Sequence, residues 1–90
     1  MSRYGWIVTD CPVEPSQQGI TGPHDNTLSR EQMVLRGQQW KVFDDDREFY
    51  AEGFIAGDYN GFEPLDDWAG PSLGAVTIKY KNPDGEWESL

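Results

Sequence analysis

Residues 75–90 spell out a β-hairpin. Val76, Ile78 and Tyr80 alternate with Thr77, Lys79 and Lys81, the period of two that a half-buried strand requires. Asn82-Pro83-Asp84-Gly85 follows, a sequence that sets up a type I turn with Gly85 in the left-handed position that forms a bulge. Residues 86–90 return as the partner strand. Lys79 and Lys81 are then expected to face Glu86 and Glu88, with Trp87 reaching the core. Antiparallel pairing is therefore the starting point for the fold.

The rest of the chain extends that pattern. Residues 4–9 place Tyr4, Trp6 and Val8 on one face and Gly5, Ile7 and Thr9 on the other, as in a strand covered at least partly on both sides. From 10 to 26, Pro12, Pro15, Gly19, Gly22 and Pro23 punctuate the chain too densely for regular structure, which predicts a long loop. Ser29 followed three places on by Gln32 is a capping box. It starts a two-turn helix with Met33, Val34 and Leu35 as its apolar face, Leu28 as a staple and Gly37 as its end. Residues 39–43 and 49–55 read as a second hairpin around Asp44-Asp45-Asp46-Arg47, with Phe49, Ala51, Gly53 and Ile55 on one face and Tyr50, Glu52 and Phe54 on the other. Residues 57–74 read as an ordered loop anchored by Tyr59, Phe62, Leu65, Trp68 and Leu73. The sum is an α+β domain, a four- to five-stranded antiparallel sheet built from hairpins with one short helix, occupying residues 1–90 as a single acidic unit.

Ninety residues leave room for one core, and although the hydrophobic fraction is 37%, four Trp, four Tyr and four Phe make that core aromatic and argue against disorder. A formal net charge of -9 repels phosphate backbones and anionic lipid, so direct binding to nucleic acid or membrane is not expected. Cys11 is the only cysteine, and the amino-terminal segment lacks the apolar run of a signal peptide. Both observations point to a reducing cytoplasm.

No catalytic constellation or cofactor site emerges. The single histidine, His24, has only Asp25 and Ser16 as candidate partners, and nothing in the spacing joins them into a triad. No glycine-rich loop leads into a helix with a lysine, as a phosphate cradle needs. Carboxylates do cluster, at 44–48 and again at 58–67, in a manner that suits Ca²⁺ or Mg²⁺. The EF-hand pattern nevertheless fails: counted from Asp58, its sixth and twelfth places hold Glu63 and Ala69, and counted from Asp44 they hold Phe49 and Ile55. A Ca²⁺-binding or purely structural accessory domain is the alternative reading, without an assigned metal ligand.

Charge distribution carries the leading one. Between Asp44 and Asp67 lie nine acids (Asp44, Asp45, Asp46, Glu48, Glu52, Asp58, Glu63, Asp66 and Asp67) and one base, Arg47, while the other 66 residues hold seven acids and six bases. Alternate residues on a strand are about 6.6 Å apart, so Asp46, Glu48 and Glu52 with the loop carboxylates can imitate a row of phosphates. Among the interspersed aromatics, Tyr59 and Trp68 are expected at the surface as partner-binding anchors.

The segments WIVT at 6–9, TGP at 21–23, VFDDD at 42–46 and GDYNGFEPLDDW at 57–68, with IKYKN and EWESL, resemble a family of small acidic bacterial and prophage-associated proteins. The resemblance implies one domain with no assigned enzymatic role. It also implies a Gly after the Asp run, where this chain has Arg47. By class, the chain is similar to phage-encoded anti-CRISPR and anti-restriction proteins. The expectation is a stoichiometric inhibitor presenting an acidic, DNA-mimic surface to a nucleic-acid-binding partner such as a CRISPR-Cas component.

Overall fold

The computed structural model describes residues 3–90; the first two residues of the amino-terminal segment lie outside them. Six strands, β1 (Tyr4–Asp10), β2 (Thr21–Gly22), β3 (Gln38–Phe43), β4 (Phe49–Gly57), β5 (Thr77–Lys81) and β6 (Trp87–Ser89), form one open sheet in the order β2-β1-β4-β3-β5-β6. Every neighbouring pair is antiparallel. Two short helices complete the α+β fold, α1 (Arg30–Arg36) and α2 (Gly70–Leu73), the second preceded by a π-helical turn over Leu65–Ala69. No helix among the described residues is long and apolar enough to cross a membrane.

The strand count exceeds the expected four to five because β2 is a two-residue strand inside the Pro- and Gly-rich segment, where Thr21 and Gly22 pair with Ile7 and Trp6. Two residues have no periodicity to read. The segment after β4 is helical over much of its length because Pro64 precedes the first turn and Pro71 falls in the first turn of α2, a position that tolerates a missing N–H. Both edge strands are very short, which limits edge-to-edge pairing with other chains.

One face of the sheet carries the main core. Trp6, Val8, Trp40, Val42, Ala51, Ile55, Ile78 and Tyr80 are buried there under Trp68, Ala69 and Ala75. The indole of Trp68 lies 6.0 Å from that of Trp6 and 6.3 Å from that of Trp40. On the opposite face α1 covers β1 and β4, with Met33 lying against Gly5. The capping box is formed as expected: Gln32 N donates to Ser29 Oγ (3.1 Å) and Ser29 N to Gln32 Oε1 (2.8 Å). Of the expected apolar face only Met33 is buried, with Val34 and Leu35 40% and 75% exposed. Three consecutive residues span most of a helical turn, so a seven-residue helix cannot turn all of them to the sheet. Gly37 ends α1 for a steric reason, since a Cβ would strike the carbonyl oxygens of Met33 and Ile55.

The two hairpin turns share one design. Asn82 N donates to Glu86 O (2.7 Å) and Gly85 N to Asn82 O (2.9 Å), with Gly85 at φ +90°. In the same way Asp44 N donates to Glu48 O and Arg47 N to Asp44 O, each at 3.1 Å, and Arg47 takes the left-handed φ of 66° that glycine normally supplies. These turns and the bulges set the faces. Gly85 adds a residue on the β6 side, so Lys81 pairs with Trp87 and Lys79 with Ser89. Trp87 therefore joins the lysines on the face away from the main core, and Glu88 stands opposite Tyr80, correcting the expected Lys–Glu pairing. A bulge at Tyr50, between Val42↔Ala51 and Phe43↔Phe49, likewise sends Phe49 to the open face beside Phe43 and Tyr50 against the core.

Candidate functional site

The β3–β4 turn projects four acids in five positions beyond the end of the sheet. Asp45, Asp46 and Glu48 are exposed and Asp44 is half-buried. Asp44 holds the turn in shape, its Oδ1 accepting from the backbone N–H groups of Asp46 and Glu48, both at 2.8 Å. Carboxylate oxygens of Asp44, Asp45 and Asp46 lie within 4.8 Å of one another. Close like charges of this kind raise the local negative potential without a compensating cation in contact: among the described residues, none of the four forms an ion pair.

The remaining expected contact residues do not extend this cluster. Glu52 lies mid-strand, on the α1 side of the sheet, and accepts from Gln39 Nε2 (3.0 Å). Asp58 follows the far end of β4, eight residue steps from Phe49, a run of about 26 Å. Beyond it Glu63 caps its own loop by accepting from Asn60 N (2.8 Å) and Gly61 N (2.7 Å). Asp66 is exposed nearby, and Asp67 ties the helical segment to β1, its Oδ2 accepting from Tyr4 Oη (2.7 Å) and Trp6 Nε1 (3.1 Å). A single row of carboxylates along the chain order is thus broken into a compact tip and a second group at the other end of β4.

The aromatic anchors are corrected too. Trp68 is only 4% exposed, and its Nε1 donates to Gln17 Oε1 (3.1 Å). It is a core residue, since the helical turn that the sequence concealed rolls it onto Trp6 and Trp40. Tyr59 is half-buried, stacked on Tyr80 at 6.1 Å with its hydroxyl donating to Gln38 Oε1 (2.9 Å). The 45%-exposed aromatic of this segment is Phe62.

No family model matches this chain, and neither curated proteins nor solved structures yield a match. The other reactive side chains are set apart. His24 is exposed in its loop, Ser16 Oγ donates to Glu14 Oε1 (3.0 Å), and Cys11 is fully buried, which pushes its thiol pKa up and disfavours the thiolate. Sequence reading also overlooked a group of cations on the open face of the sheet, because their positions are far apart along the chain.

Burial raises the hydroxyl pKa of Tyr80, and burial together with the hydrogen bond to Asp67 raises that of Tyr4. The folded state then holds protons that the unfolded chain releases near the ordinary tyrosine value of about 10. Stability from these groups is complete below about pH 10 and is lost as pH rises toward the folded values. Urea midpoints measured from pH 8 to 11 are expected to fall at the alkaline end, and Tyr4→Phe with Tyr80→Phe to flatten that fall. An equally steep decline in the double variant would assign it to other groups.

Proposed function

We propose that this protein is a stoichiometric binding protein that docks its β3–β4 tip onto a basic surface of another protein. The observation that carries the reading is the tip itself: Asp44, Asp45, Asp46 and Glu48 stand at one end of the sheet with their turn braced by Asp44. Concentrated charge on a rigid projection steers encounter and suppresses wrong partners more than it adds contact area. Gathering of acids in a chain of net charge -9 supports a partner whose basic surface normally holds nucleic acid, and an inhibitor of such a partner, of the anti-CRISPR or anti-restriction kind carried by phages, is its sharpest form. The compact tip favours a knob seated in one basic pocket over an extended imitation of a strand.

The test is kinetic. Asp45→Lys, Asp46→Lys and Glu48→Lys together leave Asp44 to hold the turn. With a partner isolated from a bacterial lysate by salt elution, the triple variant is expected to associate at least about tenfold more slowly at low salt and to lose most of its salt dependence. An unchanged association rate removes the tip from the interface. Heat release with a raised melting temperature on addition of micromolar Ca²⁺ would instead favour the accessory-domain alternative.

A further inference from the structure

We propose that the open face of the sheet binds single-stranded nucleic acid, through a surface that adjoins the acidic tip at one end and on grounds independent of the reading above. The chain has seven Lys and Arg, and five of them, Arg36, Lys41, Arg47, Lys79 and Lys81, border this one face. Among the described residues none of the five forms an ion pair, although the protein has sixteen acids. Glu52 stands directly opposite Lys41 in register, yet its carboxylate takes Gln39 while the Lys41 ammonium lies over the rings of Trp87 and Phe49. Lys41 and Lys79 are themselves paired across β3 and β5, a like-charge arrangement that destabilises a sheet. Arg47 adds its charge from a left-handed backbone position that is unfavourable for a non-glycine residue. Cations kept together at a conformational and electrostatic cost, with rings and no carboxylate as neighbours of Lys41 and Lys79, suit a surface meant for an external anion.

Rings on the same face decide which anion. Phe43, Phe49, Phe54 and Trp87 are all half-exposed there. Lys41 Nζ lies 4.4 Å from the Trp87 ring centroid, and Lys79 Nζ lies 5.2 Å from that of Phe43. Aromatic faces interleaved with ammonium groups on an uncovered sheet match the two halves of a single strand, whose bases stack while its phosphates meet cations. Hollows of about 480 and 410 Å³ flank this surface, one between Phe43, Arg47, Thr77 and Lys79 with Asp44 and Asp45 of the tip on its rim, the other between Arg36, Gln39, Phe54 and Lys81. A carboxylate-rich peptide would use the lysines and leave the rings idle. A duplex hides its bases, and its higher charge density is repelled by the acidic tip at the end of the face.

The experiment is fluorescence anisotropy of the full chain with labelled oligo-dT and oligo-rU of about 12 nucleotides in low salt, beside the matching duplex and poly-glutamate. Binding of the single strands is expected, with log affinity falling against log salt with a slope near -3, about -0.7 for each of four to five phosphates. Lys41→Gln with Lys79→Gln is expected to weaken binding at least tenfold and to make the slope shallower by about 1.4. Trp87→Leu is expected to weaken binding while keeping the slope, because it removes stacking and no charge. Asp45→Lys with Asp46→Lys and Glu48→Lys, which abolishes docking through the tip, is expected to retain or tighten oligonucleotide binding, so the two proposals fail separately. No binding by the folded wild-type chain, tighter binding of the duplex, or equal binding of poly-glutamate would each overturn the assignment.

Discussion

Replacing Trp68 with alanine is expected to destabilise the protein by about 3 to 5 kcal/mol, the range for removing a buried aromatic side chain from a core. Trp68 joins three elements: it packs on Trp6 of β1 and Trp40 of β3, and its indole N–H reaches Gln17 in the loop after β1. Alanine leaves a cavity where these meet, and the walls cannot close it because Trp40 and Val42 already sit in the sheet with no exposure. Single domains of this length have roughly 5 to 13 kcal/mol of stability, so the variant loses a large part of it. The melting temperature should fall by at least about 12 °C. Trp68→Phe, which keeps a ring against Trp6, should retain about half of the difference. A loss below about 1 kcal/mol in the alanine variant would return Trp68 to the surface role that its place in the acidic segment suggested.

Gly53→Ala is expected to cost about 3 kcal/mol or more, at the upper end for overpacking, although alanine normally favours ordered structure over glycine. Gly53 occupies the middle of β4 between Val8 on β1 and Trp40 on β3. A Cβ there would run into the carbonyl oxygen of Ile7 and stand 2.7 Å from Cζ2 of the Trp40 indole. Neither neighbour can yield cheaply, since one is backbone of an adjacent strand and the other is fully buried. Equilibrium unfolding in urea measures the effect. A variant as stable as the parent would mean that β1 and β4 approach less closely around Gly53 than described.

Local chemistry was legible wherever one short segment contains its own reason. Ser29 and Gln32 exchange both capping bonds, and Asn82-Pro83-Asp84-Gly85 makes its turn, because each needs only neighbours three or four residues away. The alternation in β1 and β5 correctly placed Trp6 and Val8 on one face and Ile78 and Tyr80 on one face. It failed at the bulges. One extra residue reverses every face beyond it, which is why Phe49, Tyr50 and Trp87 lie on faces opposite to those read from the pattern. The helical segment from 63 to 73 was hidden because its prolines and glycines look like loop punctuation until their positions within a turn are known.

The acidic tip belongs to the part that sequence determines by itself: four carboxylates in five residues, on a turn of recognisable type, remain together in any fold that forms the hairpin. Whether other charges join them depends on distance in space. Nine residues of β4 carry Asp58 away from the tip, and the folding of the next segment commits Glu63 and Asp67 to internal hydrogen bonds. Only the tertiary structure gathers Arg36, Lys41, Arg47, Lys79 and Lys81, since pairing of β3 with β5 joins residues nearly forty positions apart and the Gly85 bulge turns Trp87 toward them. Net charge is a sum over the chain and is blind to such pairing, so a protein of strongly negative composition can bring five of its seven cations to one aromatic face.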